Sequence, residues 1–308
     1  MTLSAIKNKK KPIASNALLC IAILLMPLTL IFGNEIKGGI IKGLSLSFLN
    51  IIPTLFPFFV LTDLWLSTID FKHNGLSSRC FERLFNVNGC AVSSFIIGSV
   101  CGFPLGVKTA VELYKENKIN KSELESLICF VNNPSAAFVI SGIGAGMCGD
   151  ISLGIKLYFS TVFSAIIIGL IFRNRENKTT FSKEITRQNF DFVGSIRSAA
   201  YSSINVCAYI AFFSGVIALV GAIWKNETFS ILISPFLELT SASESIYASR
   251  SVIGIWTNPL LAFSLGFSGF CVHMQAFSFL PKDVSKIKYL LAKFLHGVAS
   301  ALLILLFR

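Results

Sequence analysis

Apolar stretches near or above the ~20 residues that carry a helix across a bilayer recur along the whole 308-residue chain. They fall at about residues 17–33, 39–66, 90–114, 124–147, 151–172, 193–224, 231–250, 259–280 and 289–307. Backbone polar groups inside a membrane must find partners within the protein, so such stretches cross as helices. Charged residues make up 14% of the chain, against about 25% in an ordinary soluble domain. The expected fold class is all-α and polytopic, with the lipid bilayer as partner and the cell membrane as location.

Basic residues sit mainly between these stretches. They explain the formal net charge of +11 through the preference of cytoplasmic loops for lysine and arginine, not through nucleic acid. Lys7, Lys9, Lys10 and Lys11 precede the first stretch. That stretch is long for a secretory signal and lacks a small-residue cleavage site, so a retained helix with a cytoplasmic N-terminus is expected. If every later stretch crossed fully, the linker bearing Arg173, Arg175, Lys178, Lys183 and Arg187 would lie outside. The conflict disappears if 90–114 enters and leaves by one face. Its centre, Cys101-Gly102-Phe103-Pro104-Leu105-Gly106, holds the residues that break and reverse a helix. Non-helical backbone at that depth survives only inside protein or beside a wet cavity.

The two halves of the chain correspond weakly but in order. At an offset of 155, Gly39, Ile41, Ser47, Asn50 and Phe58 meet Gly194, Ile196, Ser202, Asn205 and Phe213, while Lys42 meets Arg197. At an offset of 167, Gly102-Phe103 meets Gly269-Phe270, Lys115 meets Lys282 and Lys121 meets Lys288. Each half then reads as a long helix, a glycine-broken re-entrant hairpin, a basic turn and a further helix. The charge count makes the repeats inverted, an arrangement that points to secondary transporters with a site at the repeat interface. The organisation expected is a basic tail and first helix over 1–38, one repeat over 39–172, a basic cytoplasmic linker over 173–192, and a second repeat over 193–308.

Polar residues inside the apolar stretches are the candidate site. Lys108 follows the first break, where a lysine beside half-helix N–H groups suits a carboxylate or phosphate; snorkelling to the headgroups is the plainer account. Asn132 and Asn133 precede Pro134 and read either as interhelical glue or as contacts to a polar substrate. Glu238, with Thr240, suits proton or cation coupling at membrane depth, or else the surface of a lateral helix; Glu244 reads as surface. His273 and Gln275 follow a second break at Gly266, Ser268 and Gly269, and His273 is either a proton or anion partner or a hydrogen-bonded bundle residue. His73 and His296 read as loop and helix-face residues.

Other chemistry is not written in the chain. Its eight cysteines show no CxxC pair and lie mostly in apolar runs, a pattern of packing residues rather than metal ligands or disulfides. No hydrolase, phosphate-loop or paired-carboxylate signature is present, and Asn226-Glu227-Thr228 reads as an incidental sequon. The expectation is a protein that is not an enzyme and carries no cofactor or metal, with a homo-oligomer among the assemblies to expect.

The stretch Gly102-Phe103-Pro104-Leu105-Gly106-Val107-Lys108, the Asn132-Asn133 pair, Glu238-Leu239-Thr240, and Gly266 through Gln275 resemble the YlbJ sporulation integral membrane proteins. These belong to the nucleoside-recognition (Gate) domain group, and the likeness runs from about Gly39 to the C-terminus. Ala242 stands near where a glycine is common. The resemblance implies a sporulation transporter, moving dipicolinic acid from the mother cell across the outer forespore membrane. The broken segments (Gly102, Pro104, Gly106, Gly266, Ser268 and Gly269) and the polar residues beside them, Lys108 and His273 among them, independently favour a carrier that holds a small organic anion there. A nucleoside-type carrier and a non-transporting membrane assembly protein are the alternatives.

Overall fold

A computed structural model describes residues 23, 26–68, 75–179, 191–225 and 227–307. Residues 17–22, 24 and 25 of the first apolar stretch, together with Lys7, Lys9, Lys10, Lys11, His73, Lys183, Arg187 and Asn226, lie outside the described residues. Regular structure among the described residues is helical throughout. The first half holds α1 (Gly33–Leu46), α2 (Ile52–Thr68), α3 (Leu76–Phe85), α4 (Val92–Val100), α5 (Leu105–Lys115), α6 (Lys121–Leu127), a π-helix (Ala137–Met147) and α7 (Ile151–Ile171). The second holds α8 (Phe192–Trp224), α9 (Glu227–Leu237), α10 (Leu239–Ala248), α11 (Thr257–Phe267), α12 (Gly269–Phe279) and α13 (Lys286–Leu303).

Among the described residues, four helical stretches are long and apolar enough to cross a membrane: Ile151–Ile171, Phe192–Trp224, Arg250–Phe279 and Lys286–Leu306. A fifth is reached if Gly33–Ile51 and Leu55–Leu61, bent by 58°, count as one. The bend has a local cause. Pro53 supplies no N–H to the helical ladder and its ring crowds the preceding turn, and the chain widens into a π-helical turn at Ser47–Ile51 just before it. These features make the all-α polytopic membrane fold.

Small residues decide which face of each span turns inward. On α8 the buried positions include Ser195, Ala199, Ser203, Cys207, Ala211 and Gly215, one every fourth residue. Tyr201, Ile204 and Phe212 on other faces stay exposed, as lipid-facing residues do. Helices in lipid gain little from burying more hydrocarbon, so they associate where small side chains let backbones approach. Against this stripe lies α1: a Cβ added at Gly39 would stand 2.6 Å from Ala218 Cβ, and one at Gly43 2.6 Å from Ser214 Oγ.

One end of the bundle collects the basic connections. Lys121 pairs with Asp283 at 3.3 Å, and Ser285 N–H donates to Glu125 Oε1. The opening of the linker is clasped to the same end. Asn86 and Asn174 donate to each other's carbonyls, Thr179 donates to Glu123, Asn120 donates to the Asn177 carbonyl, and Lys178 pairs with Glu82. The Lys115–Lys121 turn and the start of the basic linker thus share a side, as the re-entrant reading of 90–114 requires.

The first break reverses the chain: α4 and α5 pack on each other, and a Cβ at Gly106 would come within 2.8 Å of Gly98 Cα. The second does not, and here the expected hairpin is corrected. Along α13, Gly297 lies against Phe263 and Gly266 of α11, while Tyr289 meets His273 and Phe277 of α12. A helix running antiparallel past both segments means that α11 and α12 follow one another along a single path. Only Ser268 separates them, with Ser268 and Gly269 at φ 75° and 73°, too short an interruption to turn a helix back. The alignment at offset 167 fails with it. It equates a reversing tip with an interrupted helix, and basic turns that should lie at opposite ends of an inverted pair are joined by the Lys121–Asp283 contact.

Like elements correspond differently. In each half a packed helix pair precedes an interrupted helix: α4 and α5 precede α6 and the π-helix, whose joint at 131–134 is non-helical, and α9 and α10 precede α11 and α12. The far end of the first interrupted helix, at the Cys148 carbonyl, accepts from Tyr247 near the end of α10. The open end of the α9–α10 pair therefore lies away from the basic end, where α5 finishes.

Candidate functional site

Four broken elements converge on one small, partly open cleft with a cavity volume of about 30 Å³. Its polar wall is Gly102 from the α4–α5 tip, Ser135 from the first interruption, Glu238 and Thr240 from the corner between α9 and α10, and Gln275 from α12. Phe59, Phe103 and Phe138 are among its apolar lining.

Each polar group is placed by its local backbone. Glu238 has an extended conformation that ends α9, and its carboxylate accepts from the N–H groups of Thr240 and Ser241, both at 2.6 Å. A carboxylate in that place complements the unpaired N–H groups and positive dipole end of α10. It is buried at 2% exposure, which rules out the surface alternative. Gly102, at φ 88°, occupies the left-handed region that glycine enters at no steric cost. A Cβ there would stand 2.8 Å from Ser135 N, so two breaks touch through bare backbone. The Phe103–Pro104 peptide is cis, and Pro104 leads into the first turn of α5. Gly269 lets α12 approach the Leu237 carbonyl to 3.1 Å from where a Cβ would be.

Several expected site residues do not reach the cleft. Lys108 is about half exposed and stands 4.0 Å from Glu112, one turn along α5; its side chain faces out because Gly106, Val107 and Ala110 form the buried face. Gly106 and Gly266 are packing positions, the first against Gly98 and the second against Gly297. Ser268 closes its own helix by donating to the Leu265 carbonyl. Glu244 pairs with Lys42 at 3.1 Å.

Asn132, Asn133 and His273 are fully buried behind the cleft. Asn132 Nδ2 donates to Tyr289 Oη at 2.8 Å, and Asn133 Nδ2 to the Phe130 carbonyl and Ser99 Oγ. His273 Nδ1 lies 3.2 Å from Tyr289 Oη. The Oδ1 atoms of both asparagines and His273 Nε2 have no protein partner.

Lys293 completes this chain, a residue that sequence reasoning missed. Its Nζ lies 2.8 Å from the Asn132 carbonyl and 2.9 Å from His296 Nδ1. His296 Nε2 in turn lies 2.9 Å from the Thr161 carbonyl of α7. His296, expected as a helix-face residue, is fully buried. A signal was available: Tyr289, Lys293, His296 and Ser300 recur at spacings of four, three and four in an otherwise apolar helix, which places them on one face.

No protein-family model matches the chain, and no solved structure matches it. Among curated proteins, the chain is 25% identical to the sporulation integral membrane protein YlbJ of Bacillus subtilis (strain 168), with 86% of this chain and 75% of that protein covered.

Proposed function

We propose, from the premise that the chain is a YlbJ-type integral membrane protein, that it is a secondary transporter acting in sporulation, with dipicolinic acid as its cargo. The observation that carries a transport role is the cleft itself. A packed helix pair contributes to it from each half, and their open ends lie towards opposite ends of the bundle. Such a site can be opened to either side by moving one pair against the other. In a sporulating cell the outer forespore membrane is where this traffic would occur.

The charge of the cleft shapes the mechanism. Its charged lining residue among the described ones is Glu238, and no lysine or arginine stands there. A planar dianion cannot settle beside an ionised carboxylate without compensation. Protonation of Glu238, or a cation entering with the cargo, supplies it, which makes Glu238 the coupling group. Gln275 and Thr240 then offer an amide and a hydroxyl to the cargo's oxygens. The lack of a lining cation also favours a second reading, a neutral nucleoside-type cargo.

Purified protein in sealed vesicles separates the readings. Labelled dipicolinate should accumulate inside, faster with an imposed proton or cation gradient, and Glu238→Gln should slow it at least ~10-fold at matched protein levels. Accumulation of nucleosides but not dipicolinate selects the neutral cargo. No uptake of either, from correctly folded protein, leaves a membrane assembly role.

A further inference from the structure

The network behind the cleft contains a lysine without a counter-ion. Lys293 is fully buried in α13 and takes part in none of the ion pairs among the described residues. Removing an ammonium from water costs several kcal/mol unless partners replace the solvent. A packing position in a membrane helix needs no such residue, so its presence there calls for a role of its own.

The geometry around Nζ suggests one. Let His296 Nε2 donate to the Thr161 carbonyl; its Nδ1 is then a lone pair. Nζ faces that lone pair and the Asn132 carbonyl. Two acceptors match the two N–H bonds of a neutral amine, and an ammonium brings a third N–H. The site thus accepts either state with a difference of one hydrogen bond. Asn132 belongs to the non-helical joint of an interrupted helix, and unwound carbonyls at such joints are where carriers hold a coupling ion.

We propose that Lys293 is a proton-binding site that does at the Asn132 carbonyl what a bound metal cation does at the unwound backbone of other carriers. Proton binding puts a full charge against the carbonyl and draws the 131–134 joint onto α13; release relaxes it. Because Ser135 borders both this joint and the cleft, the joint transmits the change to the cargo site. The titratable neighbours are Tyr289 and His296 on the same helix, His273 on α12 and Cys129 before the joint. From α7 the facing group is the Thr161 carbonyl, with Tyr158 engaged at the Ser99 carbonyl and Lys156 partly exposed; α11 carries no titratable side chain.

This inference rests on the fold and not on the identity of the cargo, and its test needs no transport. Full-length protein in lipid nanodiscs is followed by hydrogen–deuterium exchange mass spectrometry of peptides covering 128–136. Measurements run from mildly acid to mildly alkaline pH, with the intrinsic pH dependence of exchange removed. Wild-type protection should change on the order of tenfold across the series. Lys293→Met holds no proton and Lys293→Arg releases none, so both profiles should be flat and lie at different levels. A flat wild-type profile, or an undiminished pH response in either variant, overturns the proposal. If the methionine variant does not assemble, the arginine variant decides by the same criterion. Replacing potassium chloride by sodium chloride should leave wild-type protection unchanged, and a sodium-dependent rise would assign the joint to a metal ion instead.

Discussion

The breaks at Gly102 and at Ser268–Gly269 look alike in sequence, yet one reverses the chain and the other lets it run on. The first has four residues, Cys101 to Pro104, between its helices and a facing pair of glycines, Gly98 and Gly106, that lets the two arms touch. At the second a single residue intervenes. Its glycines serve other neighbours: Gly266 admits Gly297 of α13, and Gly269 admits the Leu237–Glu238 peptide. A breaker therefore fixes where a membrane helix ends. The direction taken beyond it depends on whether the next segment meets its predecessor or a third helix through small residues.

The sharpest way to break this comparison is to close the glycine seam. Gly106→Ala places a methyl group on the Val131 carbonyl and within 2.8 Å of Gly98 Cα, both backbone and unable to rotate away. A loss above ~4 kcal/mol, the range of severe core overpacking and strain, is expected, and the variant should give no monodisperse peak on size-exclusion chromatography. Gly102→Ala comes next. Left-handed strain of ~1–2 kcal/mol adds to a clash with Ser135 backbone at 2.8 Å, so a clear fall in thermal midpoint should accompany loss of cargo uptake.

At the other break Gly269→Ala should cost less, about 1–2 kcal/mol from its φ of 73°, because the nearest backbone contact would be 3.1 Å. A few degrees lost from the midpoint with uptake largely kept would confirm that this interruption is a joint and not a lining. Equal damage from Gly102→Ala and Gly269→Ala would erase the distinction. Smallest of all is Lys108→Met. With its side chain outside the cleft, uptake should stay within about twofold of wild type, as for other exposed positions, and a severe transport defect at normal expression would put Lys108 back in the site.

Legibility differed by the kind of question. Hydropathy located α7, α8 and α13 well, since a helix in lipid shows its apolar length directly in sequence. Gly102 and Gly269 marked real interruptions, because left-handed backbone is a property of single residues. The direction of the chain after a break was not legible, since it depends on contacts between α13 and both α11 and α12. Among lysines, apolar surroundings alone could not separate Lys108 from Lys293. Facing did: Lys108 shares a surface with Glu112, whereas Lys293 shares one with Tyr289, His296 and Ser300.

The seam between α1 and α8 bears on how the protein is made. Gly43 and Ser214 touch in the finished bundle but are about 170 positions apart in the chain. At roughly 5–20 residues per second of synthesis, α1 is in place some 10–30 s before its partner exists. During that interval its glycine face, with Gly39 and Gly43, lies open to lipid or to any other helix with a narrow face. A quality-control factor that recognises unpaired small-residue helices would find its target in this window, and the early α1 is the segment it would hold.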